Sequence, residues 1–201
     1  MTRIIAGAAR GFRLVTPRGD RTRPTSDRVR EALFSSLAAW AGTGDRPPEA
    51  QMDGVAFLDL YTGSGAIGLE AVSRGAARVV LVESHPPTAR LVARNAETVA
   101  PARVRPPQIE VVTRDVAAYL AQPAPVRTLF DVVWLDPPYA LPTADLEAAL
   151  RGVVDGWLAD DGLVVVERSA RSEPFAWPEP LETRWHKAYG ETVLHYARPA
   201  A

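Results

Sequence analysis

The chain has 201 residues, of which 47% are hydrophobic and 23% are charged. This length suits one α/β domain with a full core. There are no cysteines, which excludes disulfides, zinc–thiolate sites, iron–sulfur clusters and a cysteine nucleophile. No apolar run approaches the roughly 20 residues that span a bilayer, and the first residues contain no signal-peptide core. A cytoplasmic protein is therefore expected.

The net charge of −1 is unevenly distributed along the chain. Residues 1–30 contain eight arginines and two aspartates, a net charge of +6, so the remainder carries −7. A cationic segment on an acidic body indicates a polyanionic partner that binds at one end.

The N-terminal segment predicts a small extension followed by a helix. Residues 3–6 and 12–15 are short apolar runs on either side of a glycine-containing turn, a pattern typical of a β-hairpin. Thr25 or Ser26 can cap the helix that follows. We therefore divide the chain into an arginine-rich arm, residues 1–25, and a main domain, residues 26–201.

The main domain alternates predicted strands and helices. Strands are expected at residues 55–60, 78–83, 109–112, 130–135 and 162–167, and a closing hairpin at 184–189 and 192–197. Such alternation predicts an α/β fold with a mostly parallel seven-stranded sheet, to which the hairpin adds an antiparallel closing strand. Ligands bind at the carboxyl edge of such a sheet.

A glycine-rich turn follows the first strand of this domain. Gly63, Gly65 and Gly68 satisfy the G-x-G-x-x-G pattern between a strand and a helix. Glycines allow the backbone to turn tightly and to lie against a ligand. The pattern alone does not separate a dinucleotide from S-adenosylmethionine (AdoMet).

Four acidic residues stand at successive strand ends, where they are expected to share one rim: Asp59, Glu83, Asp115 and Asp136. Glu83 is placed to accept hydrogen bonds from ribose hydroxyls. Asp59 would oppose a pyrophosphate but suits the amino-acid part of AdoMet, and Asp115 suits an adenine amino group. The set therefore favours AdoMet.

The segment 136–139 combines an acid, two prolines and a tyrosine after a buried strand. Proline fixes φ, so this corner is rigid, polar and faced by a ring. A planar group with an amine could be stacked and hydrogen-bonded there. Methyl transfer to such an amine would depend on positioning and on the stabilisation of positive charge on nitrogen by Asp136.

Several segments resemble the RsmD family of bacterial methyltransferases, namely residues 3–7, 23–34, 59–65, 68–76 and 136–139. The resemblance runs in the same order over nearly the whole chain. It implies a Rossmann-like class I AdoMet-dependent fold. It further implies methylation of the exocyclic N2 of a guanine in 16S ribosomal RNA (rRNA), with the RNA or an assembled small subunit as partner.

The resemblance also implies roles for individual residues. The catalytic corner would comprise Asp136, Pro137, Pro138 and Tyr139. AdoMet would be held by Asp59, Tyr61, Gly63, Ser64, Gly65, Glu83, Asp115 and Val116, and Thr25 and Arg28 would border its pocket. RNA phosphates would contact Arg10, Arg13, Arg18, Arg21, Arg23 and Arg28.

Three other functions remain open on the sequence: a DNA adenine-N6 methyltransferase, an RNA-binding protein without activity, and an NAD(P) oxidoreductase.

His85, His186 and His195 lack metal-ligand spacing and are interpreted as structural or surface residues, so no metal is expected. Trp134, Trp157, Trp177 and Trp185 are interpreted as packing residues. A monomer is expected.

Overall fold

The computed structural model describes residues 2–17, 25–103, 106–123 and 129–200. Near the N-terminus, Arg3 and Arg13 form an antiparallel bridge. The Ile4 amide donates to the Phe12 carbonyl at 2.9 Å, and the Leu14 amide donates to the Thr2 carbonyl at 3.0 Å. The predicted N-terminal hairpin is therefore confirmed as a short ladder.

Five helices and seven strands make up the rest of the described chain. The helices are α1 (Asp27–Trp40), α2 (Ala66–Ser73), α3 (Pro86–Val99), α4 (Val116–Leu120) and α5 (Thr143–Gly156). The strands are β1 (Ala56–Leu60), β2 (Arg78–Glu83), β3 (Gln108–Thr113), β4 (Phe130–Leu135), β5 (Leu158–Ser169), β6 (Thr183–Tyr189) and β7 (Thr192–Arg198). No helix in the described ranges is long and apolar enough to cross a membrane.

All seven strands form one sheet in the order β3-β2-β1-β4-β5-β7-β6. The strands β1 to β5 are parallel, and β7 runs antiparallel to both β5 and β6. The strand order reverses between β1 and β4, where ligands of α/β sheets bind. The predicted architecture is thus confirmed, but β5 begins at Leu158, four residues before the predicted start.

The sheet is covered on both faces. Trp134 and Val165 face the core formed with α1, α2 and α3, whereas Leu135 and Val166 face the core with α4 and α5. Since side chains alternate along a strand, Glu167 is expected on the α1 side of the sheet and Arg168 on the α5 side.

The arm packs directly on α2. Amides of Ile5 and Ala6 donate to the Glu70 carboxylate at 2.8 and 2.9 Å, and the Ala9 amide donates to the Ser73 hydroxyl at 2.9 Å. Because Ile4, Ala9 and Leu14 are buried with α1 and α2, the described part of the arm is joined to the main core. Its treatment as a separate RNA-binding unit stays a prediction.

Candidate active site

The corner that follows β4 lies at the carboxyl edge of the sheet. Asp136 is half-buried, Pro137 is buried, and Pro138 is exposed. Tyr139 exposes 63% of its surface. The Pro138 carbonyl accepts from the Leu141 amide at 2.9 Å, which fixes the turn. A rigid acid therefore stands next to a ring that is open to solvent.

A second acid, Glu167, accompanies Asp136. Leu135 pairs with Val166 in the ladder between β4 and β5, so the next residues, Asp136 and Glu167, are cross-strand neighbours. Glu167 is only 7% exposed, and it accepts a hydrogen bond from the Thr25 hydroxyl at 3.1 Å. Thr25 thereby links the start of α1 to this acid pair.

Both acids of the pair have a raised proton affinity. Burial raises the pKa of Asp136 well above its usual range, and the charges of Glu167 and Asp59 raise it further, whereas Arg168 lowers it. Burial also raises the pKa of Glu167 to about 7, against the hydrogen bond from Thr25. The corner therefore has a high affinity for a proton or another positive charge near neutral pH.

The glycine turn stands next to this corner, one strand away. Tyr61 adopts φ 62°, a left-handed conformation that is uncommon for a residue other than glycine. Gly65 also has positive φ, at 79°, and caps α2. Around Gly63 there is open space where a side chain would begin. The half-buried Ser64 carbonyl accepts from Asn95 at 3.0 Å, which ties the turn to α3.

Glu83 ends β2 and supports the turn from the side. Its carboxylate accepts from the Gly63 amide at 3.1 Å and from the His85 amide at 2.8 Å. A carboxylate oxygen can accept more than one hydrogen bond, so both oxygens retain capacity for hydroxyl groups.

Asp115 caps α4, and Val116 begins that helix. The Asp115 carboxylate accepts from the amides of Ala117 and Ala118, both at Oδ1. Val116 is buried at 3% exposure. Burial and the charge of Asp115 raise the pKa of Tyr61 to about 12, so these groups lie near one another.

Asp59 lies inside β1, before its last residue, and is 1% exposed. Its Oδ2 accepts from the Gly68 amide at 2.9 Å, while Oδ1 has no hydrogen-bond partner among the described residues. Burial raises its pKa to about 7, although Thr62 and the Gly68 amide oppose the increase. Asp59 therefore ties β1 to α2, and its second oxygen has no partner among the described residues.

These features fit AdoMet. The orphaned oxygen of Asp59 is an acceptor for a cation, and the space at Gly63 admits a ligand against the backbone. Glu83 and Asp115 have oxygens for hydroxyl and amino groups. A group of three or more potential metal-binding side chains does not occur in the described ranges.

The predicted RNA-binding arginines are only partly described. Arg10, Arg13 and Arg28 are exposed, and Arg10 and Arg28 line one cleft of about 390 Å³. Arg18, Arg21 and Arg23 lie outside the described residues. Arg30, in the first turn of α1, is buried and donates to the Arg3 carbonyl and to the Asp27 carboxylate.

Two residues of the rim were missed as functional candidates: Glu167 and Arg168. Glu167 was recognised only as the end of a strand. An acid and a base that directly follow the apolar run 163–166 are the signal that could have found them, because a buried strand rarely ends in charges without a partner.

Comparison with known proteins identifies the family. The family model described as Conserved hypothetical protein 95 matches residues 2–198. Ribosomal RNA small subunit methyltransferase D of Escherichia coli (strain K12) is 37% identical over 200 residues, which cover 98% of this chain and 90% of the relative. The chain belongs to this family, the RsmD family. The resemblance seen in the sequence is confirmed.

Solved structures agree with this assignment. A hypothetical protein of Thermus thermophilus superposes with a TM-score of 0.76 at 30% identity, over 98% of this chain and 99% of its own. The magnesium protoporphyrin IX methyltransferase of Synechocystis PCC 6803, solved with bound SAM, shares the fold with a TM-score of 0.56 at 16% identity, over 90% and 86% of the two chains. The chain thus has the class I methyltransferase fold.

Proposed function

We propose that this protein transfers a methyl group from AdoMet to the exocyclic N2 of a guanine in 16S rRNA, within an assembled small ribosomal subunit. The observation that carries the proposal is the corner itself. Half-buried Asp136 and exposed Tyr139 stand one strand away from a glycine turn that fits AdoMet. The name of the E. coli relative supports rRNA as the substrate class.

The corner supplies what a weak amine nucleophile needs. The lone pair of a guanine amino group is delocalised into the ring, so the amine attacks poorly. Asp136 and the Pro137 carbonyl would accept its two hydrogens and draw the nitrogen toward a tetrahedral shape. Tyr139 would stack on the base, which must first leave its helix or loop. Positioning would supply much of the rate.

Bound AdoMet would supply an electrophilic sulfonium methyl group, so that a carbon–nitrogen bond forms as the carbon–sulfur bond breaks and the nitrogen then loses a proton. Glu83 would hold the ribose hydroxyls, Asp115 and Val116 the adenine, and Tyr61 and Ser64 the walls of the pocket. Asp59, Gly63 and Gly65 would hold the amino-acid part.

The acid pair would stabilise the positive charge that develops on nitrogen. Asp136 stabilises that charge only when it is ionised, and its raised pKa makes this state sensitive to the charges nearby. A nearby cation would lower the pKa of both acids. Asp136 and Glu167 would then be ready to take the released proton.

Exposed arginines would bind the RNA backbone. Arg10 and Arg28 flank one cleft between the arm and α1, and Arg13 is exposed on the same arm. Phosphate contacts give affinity with little sequence readout. The folded shape of the substrate would therefore provide part of the specificity. The protein is expected to act as a monomer.

The test is to supply AdoMet with a labelled methyl group and compare three substrates from cells that lack this protein: small subunits, naked 16S rRNA and duplex DNA. We expect one labelled N2-methylguanine in the small subunits, located by mass spectrometry of RNA fragments. Label on adenine N6 of DNA, or no label in any RNA, would overturn the proposal. Equilibrium binding of AdoMet against NAD tests the cofactor separately.

A further inference from the structure

Arg168 is a buried cation without hydrogen-bond partners at two of its nitrogens. It is 6% exposed, and within the described ranges Nε and Nη1 are both buried with no acceptor. Buried donors are almost always paired, and an unpaired one is costly. A guanidinium in this state indicates an acceptor that arrives with a ligand.

Two clefts meet at Arg168. One, of about 390 Å³, is shared with Tyr139 of the corner. The other, of about 330 Å³, is lined by rings of Phe175, Trp177, His186 and His195. Arg168 and Glu173 line both clefts, so Tyr139 of the corner and the second group of rings lie on either side of Arg168.

The ring cluster, which consists of Phe175, Trp177, His186 and His195, is suited to a planar ligand. Phe175 contacts Trp177 edge-on at 5.1 Å between ring centres, and it contacts His195 edge-on at 5.2 Å. His186 lies 5.9 Å from His195. Burial lowers the pKa of His195, and so do the charges of His186 and Arg168. Arg168 is therefore the buried cation of the cleft, beside a histidine whose affinity for a proton is lowered.

We propose that Arg168 and the ring cluster form a second nucleotide subsite, which binds the nucleotide next to the methylated one. Arg168 contacts its phosphate and the base rests against the ring cluster. Arginine suits phosphate, and bases stack on aromatic side chains with little regard to sequence. The inference rests on the proposed function, because it needs an RNA strand already held at Asp136 and Tyr139.

The position of Arg168 explains why the neighbouring nucleotide is the occupant. Arg168 directly follows Glu167, the cross-strand neighbour of Asp136, and its charge lowers the pKa of Asp136. The guanidinium is thus near the reacting corner but points to the other face of the sheet. A strand that leaves the corner would meet Arg168 first and the rings next.

The first test replaces the guanidinium by an apolar side chain of similar length, Arg168→Met. The matched control is Arg198→Met, which removes the same charge from an exposed position of β7 that pairs with Thr183. Small subunits from cells that lack this protein serve as substrate. The readouts are KM, kcat, AdoMet affinity, the melting temperature and the salt dependence of RNA binding.

For Arg168→Met we expect KM for the subunits to rise about tenfold and the slope of log affinity against log salt to fall by about one. AdoMet affinity should stay within about threefold, since the methyl donor is not touched. The acid limb of the pH profile should move to higher pH, because the charge of Arg168 lowers the pKa of Asp136. The melting temperature should stay or rise, because two unpaired buried donors are removed. Arg168→Lys should restore part of the affinity.

A structural role for Arg168 predicts the reverse pattern, namely a lower melting temperature with an unchanged salt slope, and that result would overturn the subsite. An unchanged KM, or a loss that Arg198→Met shares, would also overturn it. If the unaltered protein methylates no RNA, the proposed function fails. If it methylates RNA and Arg168→Met does so equally well, only the subsite fails.

The rings provide an independent measurement. Trp177→Ala should weaken subunit binding about tenfold, as expected for a lost base stack, and Trp177→Phe should restore most of it. Ultraviolet cross-linking of RNA to the peptide that contains Phe175 and Trp177 should occur with the unaltered protein and decrease with Arg168→Met. Cross-links confined to the arm would contradict the proposal.

Discussion

The two halves of the catalytic edge differ in how far they are complete. In the half formed by β1, β2 and α4, backbone amides already hold the acids: Gly68 bonds Asp59, Gly63 bonds Glu83, and Ala117 bonds Asp115. In the half formed by β4 and β5, Tyr139 is largely exposed, and two nitrogens of Arg168 have no hydrogen-bond partner among the described residues. The first half, which we propose holds the cofactor (the cofactor half), is preorganised. The second, which we propose holds the substrate (the substrate half), has groups left for RNA.

This difference indicates how the protein obtains binding energy for a small cofactor and for a large RNA. A small, constant cofactor can be met by a prebuilt site, which reduces the ordering cost of binding. A large RNA brings its own phosphates and bases. Hydrogen-bond donors and aromatic rings of the protein can therefore stay without these partners until the RNA binds. Changes in the cofactor half should therefore disturb the fold as well as the activity. Changes in the substrate half should leave the fold intact.

The largest effect is expected at the corner. Asp136→Asn keeps the shape but loses the charge that stabilises the developing cation, so kcat should fall by about 10²- to 10³-fold. AdoMet affinity and the melting temperature should change little. Single-turnover methylation of small subunits measures the step directly. Pro138→Ala, at an exposed position in the same turn, is the matched control and should lose much less.

An Asp136→Asn enzyme that keeps its turnover would remove Asp136 from the chemistry. A variant that loses AdoMet binding as well would place Asp136 in the cofactor half and abolish the distinction between the halves.

The glycine turn gives the second-largest effect. A Cβ on Gly68 would lie 2.4 Å from Leu81 and 3.1 Å from the Asp59 carboxylate, so Gly68→Ala should lower the free energy of unfolding by about 2 kcal/mol through overpacking. AdoMet affinity should fall with it. Gly63→Ala is the control: its Cβ would meet open space, but φ of +56° is strained, so the cost should be about 1 kcal/mol.

Urea unfolding and AdoMet titration check both glycine variants. Equal losses of stability in Gly68→Ala and Gly63→Ala would mean that close packing at Gly68 adds no cost, which would contradict the prediction. A Gly68→Ala variant with full AdoMet affinity would show that close packing of α2 is not needed for AdoMet binding.

The sequence predicted the surroundings of the glycine turn better than those of the corner, and the reason is physical. A strand, a glycine turn and a helix are adjacent in the chain, so Gly63, Gly65 and Glu83 follow from local pattern. The pair of Asp136 and Glu167 requires that β4 and β5 be neighbours in register. Arg30 likewise depends on a distant partner, since it donates to the carbonyl of Arg3, which is 27 residues away.

The third prediction uses pH to separate the two acids. Because the negative charge of Glu167 raises the pKa of Asp136, Glu167→Gln should lower that pKa. Asp136 stabilises the developing positive charge only when it is ionised, so activity rises as pH rises through its pKa. The acid limb of the kcat/KM profile should therefore move to lower pH in Glu167→Gln by about one unit. An unmoved limb would contradict the coupling.

Stability gives the same pair a second readout. A carboxyl with a raised folded pKa binds more protons in the folded state between about pH 4 and 7, so folding stability decreases as pH rises through that range. Glu167→Gln removes one such group, whose pKa is about 7. The variant should be more stable than the unaltered protein at pH 8, and the difference should vanish near pH 4.

The smallest effect is expected at Thr25, which acts on the site through Glu167 alone. Thr25→Val removes the hydrogen bond that lowers the pKa of Glu167, so stability at pH 8 should fall by about 1 kcal/mol. Activity at neutral pH should fall less than about threefold. Thr98→Val, which removes an exposed hydroxyl bonded within α3, is the control. In the double variant with Glu167→Gln, removal of Thr25 should cost less stability, because its acceptor is then a neutral amide oxygen. An additive loss of activity would show that Thr25 contacts the substrate or AdoMet directly, and the start of α1 would then belong to the site in its own right.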